Sequence, residues 1–154
     1  MPIAEAVPAS VLAGRWRDNP DQTSNAVPLL RSLVAARNFD AAEQVAERLR
    51  TVRPGSADAL ALGGDVQLAA GRAMPALSRY AQSARIRYPD VLLLRMTEAN
   101  DRLGRSAANP ALALGYLAGY PGSRLAARLA SGYAALNGDW QRSRILLEYL
   151  RNRG

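Results

Sequence analysis

The chain contains no lysine, histidine or cysteine, so all 20 of its basic side chains are arginines. Without histidine it cannot form a Ser–His–Asp triad or pass protons through an imidazole. Without cysteine it has no disulfide, no thiol nucleophile and no cysteine-ligated zinc site. Without lysine it can form neither a Schiff base nor the lysine-containing phosphate loop of nucleotide hydrolases. These absences exclude most of the common catalytic chemistry.

Catalysis by paired carboxylates is the main chemistry that the composition still permits. Glu98 and Asp101 lie three residues apart and would be neighbours on a helix. No catalytic motif, turn or accompanying hydrogen-bond donor marks this pair as a site. We therefore expect a chain without enzymatic activity, with no catalytic residue, no metal ligand set and no cofactor.

Alanine and leucine dominate the composition. The 154 residues include 30 alanines and 22 leucines, which favours helices. No stretch alternates long enough to predict a sheet, and no uncharged run is long enough to span a bilayer. The first ten residues contain Glu5 and lack the basic start of a signal peptide. We expect a soluble protein, with the cytoplasm and the periplasm both left open.

Turn-forming residues recur along the chain in a constant phase. Four prolines that each follow a helical stretch, Pro20, Pro54, Pro89 and Pro121, recur at intervals of about 34 residues. Three glycines, Gly71, Gly104 and Gly138, recur with nearly the same period, and Arg37 stands one period before the first of them. Because proline ends helices and glycine terminates them in tight turns, this pattern predicts a helix–turn–helix repeat of about 34 residues.

A second proline series lies near predicted helix starts, where a missing N–H costs little. Its members are Pro8, Pro28, Pro75 and Pro110. Together with apolar residues at helical spacing, these markers predict nine helices. The predicted helices span 8–18, 25–36, 39–52, 57–70, 74–87, 90–103, 110–119, 123–136 and 139–152.

Small, aromatic and turn residues fall at matching places in successive repeats. These are Asn38-Phe39, Ala42 and Pro54; Gly64, Gly71, Ala76, Tyr80 and Pro89; Gly104 and Pro121; and Gly138-Asp139-Trp140. In this combination the chain resembles the tetratricopeptide repeat (TPR) family over about residues 23–154. The resemblance implies an all-α, antiparallel helix-hairpin solenoid with a right-handed path and no catalytic function.

The repeat pattern divides the chain into one predicted domain, 1–154. It consists of a half-repeat 1–22 and repeats 23–56, 57–90, 91–123 and 124–154. The third repeat has Asn109 and Pro110 where the family prefers alanine, so we expect it to be the least regular. We predict that Asn109 is the N-cap of its second helix and that Pro110 is the first helical residue.

The predicted array starts on a half-repeat and carries apolar residues in its last helix. Repeat arrays normally need polar caps for solubility. We therefore expect either a segment of a longer bacterial TPR protein or a homo-oligomer that pairs through its array ends. A complete short protein capped by its own arginines is the alternative.

The first helices line the concave groove in TPR folds, and the resemblance assigns a candidate peptide site to them. The assigned residues are Val27, Arg31, Asp58, Asp65, Leu68, Leu94, Glu98, Asp101, Arg102 and Arg128. The middle of this set is acidic although the chain carries a net charge of +7. An acidic, partly apolar groove suits a peptide or helix with basic side chains. We predict a non-catalytic protein-interaction scaffold.

Two other functions remain open from the sequence. One is a spacer or oligomerisation module of a bacterial envelope-assembly or polysaccharide-export protein. The other is binding of a polyanion along the arginines that end the second helices. Cations in last helical turns also stabilise the helix dipole, and no aromatic residues interleave with these arginines, so we do not expect nucleic acid as a partner.

Several aromatic residues carry structural expectations. We predict that Phe39 and Trp140, which follow the internal turns, are wedged between helices. Trp16 is expected to pack either on the first full hairpin or on an upstream repeat. Tyr116 and Tyr120 are four residues apart and are expected to pack structurally, with an exposed patch as the alternative.

Overall fold

The computed structural model of the chain describes residues 7–153. Within that range it contains nine α-helices, one short 3₁₀ turn (Ser106–Ala108) and no strand. The helices are α1 (Ala9–Asp18), α2 (Thr23–Ala35), α3 (Phe39–Val52), α4 (Ala57–Ala69), α5 (Ala73–Ile86), α6 (Asp90–Arg102), α7 (Asn109–Gly119), α8 (Arg124–Leu136) and α9 (Trp140–Arg153). The predicted all-α class and the nine helices are confirmed. Residues 1–6 of the predicted half-repeat and Gly154 of the last repeat lie outside the described range.

The helices form two compact units, Met1–Ile86 and Arg87–Gly154. In the first unit each of α1 to α4 packs on the helix that follows it. In the second unit the same holds for α6 to α8. Consecutive helices joined by short turns and packed side by side are antiparallel hairpins. Both units are therefore built from the predicted hairpin element.

The core of the first unit draws one stripe of small and branched side chains from each of its first four helices. Its buried members are Leu12, Ala26, Leu29, Leu30, Ala42, Val45, Ala46, Leu49, Ala59 and Val66. Trp16 packs against this cluster, as expected for contact with the first full hairpin. The frequent alanines let neighbouring helices approach closely, while the leucines fill the space between them.

The internal turns share one geometry. In each, the second residue after the first helix has a left-handed backbone, with φ of 80° at Gly71, 69° at Gly104, 77° at Gly138 and 58° at Arg37. The next N–H donates to a carbonyl five residues earlier at 2.8 Å, as in the Schellman motif that closes a helix end. Glycine adopts this backbone without steric cost, and Arg37 does not.

Replacing Arg37 by glycine is expected to raise the free energy of unfolding by about 0.5–1 kcal/mol, because it relieves a strain of about 1 kcal/mol at φ 58°. Part of the gain is offset by the greater freedom of glycine in the unfolded chain and by loss of the Arg37 guanidinium, which lies 5.5 Å from the Phe39 ring centre. Urea unfolding would measure the change. Arg37→Ala keeps the strain and removes the charge, so a stabilisation by alanine would contradict this explanation.

One proline and one tryptophan differ from their predicted places. Pro28 is the sixth residue of α2, which begins at Thr23, so it lies within the helix and not in its first turn. Trp140 is 70% exposed, so the prediction that it is wedged between helices is wrong. Phe39 at the equivalent turn is half-buried. Position in the turn therefore does not by itself bury an aromatic ring.

The start of α7 also differs from prediction. Asn109 has helical dihedral angles (φ −66°, ψ −39°), and the cap position is Ala108, whose side chain makes no capping hydrogen bond. The prediction that Asn109 is an N-cap is therefore wrong. The 3₁₀ turn leads directly into α7, which leaves no extended residue at which a side chain could cap.

The Asn109 side chain is fully buried and turns towards α6. Its amide oxygen accepts a hydrogen bond from Asn100 at 2.9 Å. Its amide nitrogen donates to the Asp101 carboxylate at 2.8 Å and to the Thr97 carbonyl at 3.3 Å. Ala42 and Ala76, five residues after their own turn residues, occupy the equivalent buried position. At this helix contact the third hairpin thus has a network of polar side chains, where the first two hairpins have an alanine.

Candidate interaction surfaces

The first unit carries five of the predicted groove residues, on α2 and α4. Arg31 and Asp58 are exposed on their helices, and Val27 and Asp65 are half-buried. Leu68 is buried, with 6% of its surface exposed. Leu68 was predicted to supply apolar contact to a peptide, but its side chain is occupied in helix packing and presents little surface to a ligand.

Asp65 has a structural partner. Its carboxylate accepts a hydrogen bond of 2.7 Å from the hydroxyl of Tyr80, a fully buried residue of α5. A buried hydroxyl without an acceptor would cost about 1–3 kcal/mol, so Asp65 stabilises the α4–α5 hairpin. A peptide ligand would have to share this carboxylate with Tyr80.

The second unit carries the other five predicted residues. Leu94, Glu98, Asp101 and Arg102 are exposed on α6, and Arg128 is exposed on α8. Glu98 pairs with Arg102 one helical turn away, with a distance of 2.8 Å between the charged atoms. Leu94 and Glu98 are also one turn apart and lie on the same face of α6.

Asp101 belongs to the polar network of the third hairpin. Its carboxylate accepts hydrogen bonds from the Ser106 hydroxyl at 2.7 Å and from the Asn109 amide at 2.8 Å. These bonds hold the 3₁₀ turn and α7 against the end of α6. Asp101 is therefore a structural residue of this turn, although it is exposed enough to meet a ligand.

A crevice of about 530 Å³ opens in the first unit among α3, α4 and α5. Its lining consists of Asp40, Glu43, Gln44, Ala46, Glu47, Gly63, Gln67 and Arg79. Gly63 and Arg79 both line the crevice, and a Cβ on Gly63 would lie 3.0 Å from an Arg79 guanidinium nitrogen. The absence of a side chain on Gly63 therefore leaves room for the Arg79 side chain to lie against α4.

Carboxylates of α3 line one wall of this crevice and pair with arginines across it. Glu43 lies 2.5 Å from Arg72, and Glu47 lies 3.6 Å from Arg79. Glu47 also pairs with Arg50 on its own helix. The hydrogen bond from Arg50, supported by the charge of Arg79, holds the pKa of the Glu47 carboxyl below its ordinary value. The Glu47 carboxylate is therefore ionised at neutral pH, and its charge is paired with those of Arg50 and Arg79.

The sequence interpretation missed this crevice because it considered only the first helices. The available signal was the spacing of Asp40, Glu43 and Glu47, which places three carboxylates on one face of α3. The glycine pair Gly63-Gly64 was noted as a helix crossing, but only the structure shows that the Arg79 side chain packs against the first glycine and the Tyr80 ring against the second.

Three tyrosines form a cluster in the second unit. The Tyr116 ring packs edge-on against Tyr88, with centres 4.7 Å apart, and stacks on Tyr120 at 4.6 Å. The Tyr116 hydroxyl donates to the Tyr88 carbonyl at 2.8 Å. Tyr116 is buried, as expected for structural packing. Tyr120 is exposed, which agrees with the alternative of an exposed patch.

Burial within this cluster raises the pKa of the Tyr88 and Tyr116 hydroxyls. The negative charge of Asp90 raises the pKa of Tyr116 further. Because the raised values belong to the folded state, folding favours the protonated rings. That stability is present below the ordinary tyrosine pKa of about 10 and is lost as the pH rises through the folded values.

We therefore expect the free energy of unfolding to fall as the pH rises above about 10. Urea titrations at several alkaline pH values, with tyrosinate absorbance followed in parallel, would measure this. Tyr88→Phe should flatten the decline and cost little at neutral pH, since the Tyr88 hydroxyl is buried without a hydrogen-bond partner among the described atoms. An unchanged alkaline slope in that variant would refute the assignment.

The arginines that end the second helices bind the neighbouring turns in two places. In the first unit the Arg48 guanidinium lies 3.4 Å from the Asp21 carboxylate, and Arg53 donates to the Asp21 carbonyl at 3.1 Å. In the second unit Arg153 donates to the Pro121 carbonyl at 3.2 Å. These arginines have structural roles in holding the turn between hairpins.

Two negative observations hold within residues 7–153. No helix there combines the length and the apolar character needed to cross a membrane. No three histidine, cysteine, aspartate or glutamate side chains in the same range come together as a metal ligand set.

Solved structures share this fold. One crystal structure of MamA superimposes with a TM-score of 0.70 at 10% identity, over 94% of this chain and 85% of that one. The chain shares the fold of MamA. A second MamA structure gives a TM-score of 0.67 at 10% identity, over 94% of this chain and 80% of the other. No family model and no curated protein sequence matches the chain. The likeness to MamA therefore concerns its TPR-type, all-α architecture.

Proposed function

We propose that the chain is a non-catalytic protein-interaction scaffold that binds a basic peptide or helix on the exposed first helices within each unit. The observation that carries this proposal is the combination of accessible carboxylates and apolar surface on those helices. Asp58 is accessible on α4, and Leu94 and Glu98 share an exposed face of α6. The fold that the chain shares with MamA supports a scaffold, since stacked hairpins present long surfaces.

Two of the four acidic residues of the predicted site also hold the helices together. Asp65 and Asp101 bind Tyr80 and Asn109, so a change at either would alter folding as well as charge. Asp58 and Glu98 are accessible carboxylates on two different units. They are the exposed acidic residues of the predicted site at which the charge is changed to test binding.

The test begins with selection of binding peptides from a random display library on the folded chain. We expect the selected peptides to be enriched in arginine and lysine. Asp58→Arg or Glu98→Arg should then weaken their binding at least tenfold, measured by fluorescence anisotropy, because a paired charge becomes a repulsive one. Glu148→Arg on α9 is the matched control, since it makes the same charge change at an exposed residue outside the first helices.

Two results would contradict this proposal. One is a set of selected peptides without basic residues. The other is equal loss of binding in Glu148→Arg and in the first-helix variants. Binding that falls steeply with salt and follows the arginines at the second-helix ends would instead favour the polyanion alternative.

A further inference from the structure

One face of α9 carries a stripe of residues spaced at one and two helical turns. Trp140, Arg144, Leu147 and Arg151 follow one another at intervals of four, three and four residues, which aligns them along the helix. All four are exposed. We call these four residues the α9 outer face.

Leu147 occupies a repeat position that is buried in every earlier second helix of the described chain. The equivalent residues of the earlier repeats are Leu12, Ala46, Tyr80 and Ala113, which follow one another at intervals of about 34 residues. None of these four is more than 8% exposed, whereas Leu147 is 54% exposed. The same repeat position is therefore in the core four times and on the surface once.

Two of the buried equivalents, Ala46 and Ala113, show which kind of element fits this face, whereas Tyr80 contacts Gly64 and Asp65 of α4, the first helix of its own hairpin. In the first unit Ala46 lies in one cluster with Ala59 and Val66 of α4, the first helix of the next hairpin. In the second unit Ala113 lies in a cluster with Ala130 of α8, again the following first helix. Both covering helices present small or branched side chains at this contact. The geometry of the face therefore suits an amphipathic helix with small apolar residues.

Charge specifies this helix further. Arg144 is the sixth residue after the turn residue Gly138. The equivalent residue of the first hairpin, six residues after Arg37, is Glu43. Glu43 accepts a hydrogen bond of 2.5 Å from Gln67 on the covering helix α4. On α9 the acceptor is replaced by a cation. A helix that covers α9 in the same way needs a carboxylate where α4 has Gln67.

We propose that the α9 outer face binds an amphipathic helix of a partner protein, which places small apolar residues on Leu147 and Trp140 and a carboxylate on Arg144. A second copy of the chain fits less well, because the α9 outer face carries two arginines and no carboxylate that could pair with Arg144 of the other copy. This site is separate from the peptide surface on the first helices, so either proposal can fail without the other.

The probe is a synthetic peptide with the sequence of α4, residues 57–69, held helical by a hydrocarbon staple that replaces Ala61 and Asp65. A peptide of this length is otherwise a marginal helix in water. One version carries Gln67→Glu and the other Gln67→Lys. We expect the glutamate peptide to bind the folded chain at least tenfold more tightly than the lysine peptide, measured by calorimetry or anisotropy.

Three variants of the chain complete the experiment. Arg144→Glu should reverse the preference between the two peptides, because the sign of the facing charge is exchanged. Leu147→Asp should weaken both at least tenfold. Ile145→Asp is the matched control, since Ile145 is 55% exposed on the same helix but lies outside the stripe, and it should leave both affinities unchanged. Circular dichroism establishes that each variant is folded.

Several outcomes would overturn the proposal. They are equal binding of the glutamate and lysine peptides, failure of Arg144→Glu to reverse their order, and equal damage by Ile145→Asp and Leu147→Asp. Self-association of the chain in sedimentation that Leu147→Asp abolishes would assign the face to a second copy instead.

Discussion

Replacing Gly64 by alanine is expected to lower the free energy of unfolding by about 2–3 kcal/mol. A Cβ on Gly64 would lie 2.5 Å from the ring of Tyr80, well inside van der Waals contact. Tyr80 is fully buried and its hydroxyl is tied to Asp65 at 2.7 Å, so the ring cannot move aside without losing that hydrogen bond. The strain must instead separate α4 from α5.

Gly132→Ala is the matched control for this prediction. Gly132 lies within α8, and a Cβ there would meet nothing within 4 Å. Since alanine is a better helix former than glycine, this change should raise the free energy of unfolding by about 0.5–1 kcal/mol. Urea denaturation would measure both. A loss of stability below about 1 kcal/mol in Gly64→Ala would mean that the hairpin relaxes around the added methyl group.

Replacing Asn109 by alanine is expected to cost about 2 kcal/mol of unfolding free energy, although alanine fills the equivalent position in the first two hairpins. The cost arises because the fully buried Asn109 is the partner of Asn100, Asp101 and the Thr97 carbonyl. Removing it leaves buried polar groups without partners. The higher helix propensity of alanine offsets only about 0.5 kcal/mol of this.

A double-mutant cycle with Asn100→Ala tests the reason for that cost. If the two amides satisfy each other, the double variant should be less destabilised than the sum of the single variants, by about 1 kcal/mol. Unfolding in urea gives all three values. Strict additivity would show that the Asn100–Asn109 hydrogen bond of 2.9 Å contributes nothing of its own to stability.

Both predictions concern residues that position the candidate surfaces. Gly64 sets the approach of α4 to α5 and thereby the place of Asp65, and its neighbour Gly63 lines the crevice. Asn109 holds Asp101 at the end of α6, the helix that presents Leu94 and Glu98. Variants at these positions should therefore change binding indirectly, which is why the binding tests use Asp58 and Glu98.

The course of the helices could be read almost completely from the sequence. Proline and glycine act on the backbone of their own turn, so their spacing predicted where α3 to α6 begin and end to within one residue. Arg37, in phase with three glycines, occupies the same left-handed turn position without being glycine. The repeat phase was here a stronger predictor than residue type.

The sequence predictions were wrong where the burial or the hydrogen bonds of a side chain are set by residues of another helix. Asn109 has the residue type of an N-cap, but its partners on α6 draw it into the core. Trp140 has the turn position of a wedge but is exposed. Leu68 shares the helical spacing of groove residues but is buried. None of these outcomes follows from local spacing, because each depends on a contact with another helix.

The sequence by itself determined the all-α repeat, its period, its turns and the absence of the common catalytic side chains. These are local properties, since each follows from the backbone preferences or the chemistry of single residues. Only the tertiary structure decided which acidic residues are available to a ligand, that a crevice opens among α3, α4 and α5, and that Leu147 is exposed where its equivalents are buried. These properties depend on the packing of helices that are distant in sequence, and burial and pairing are set by that packing.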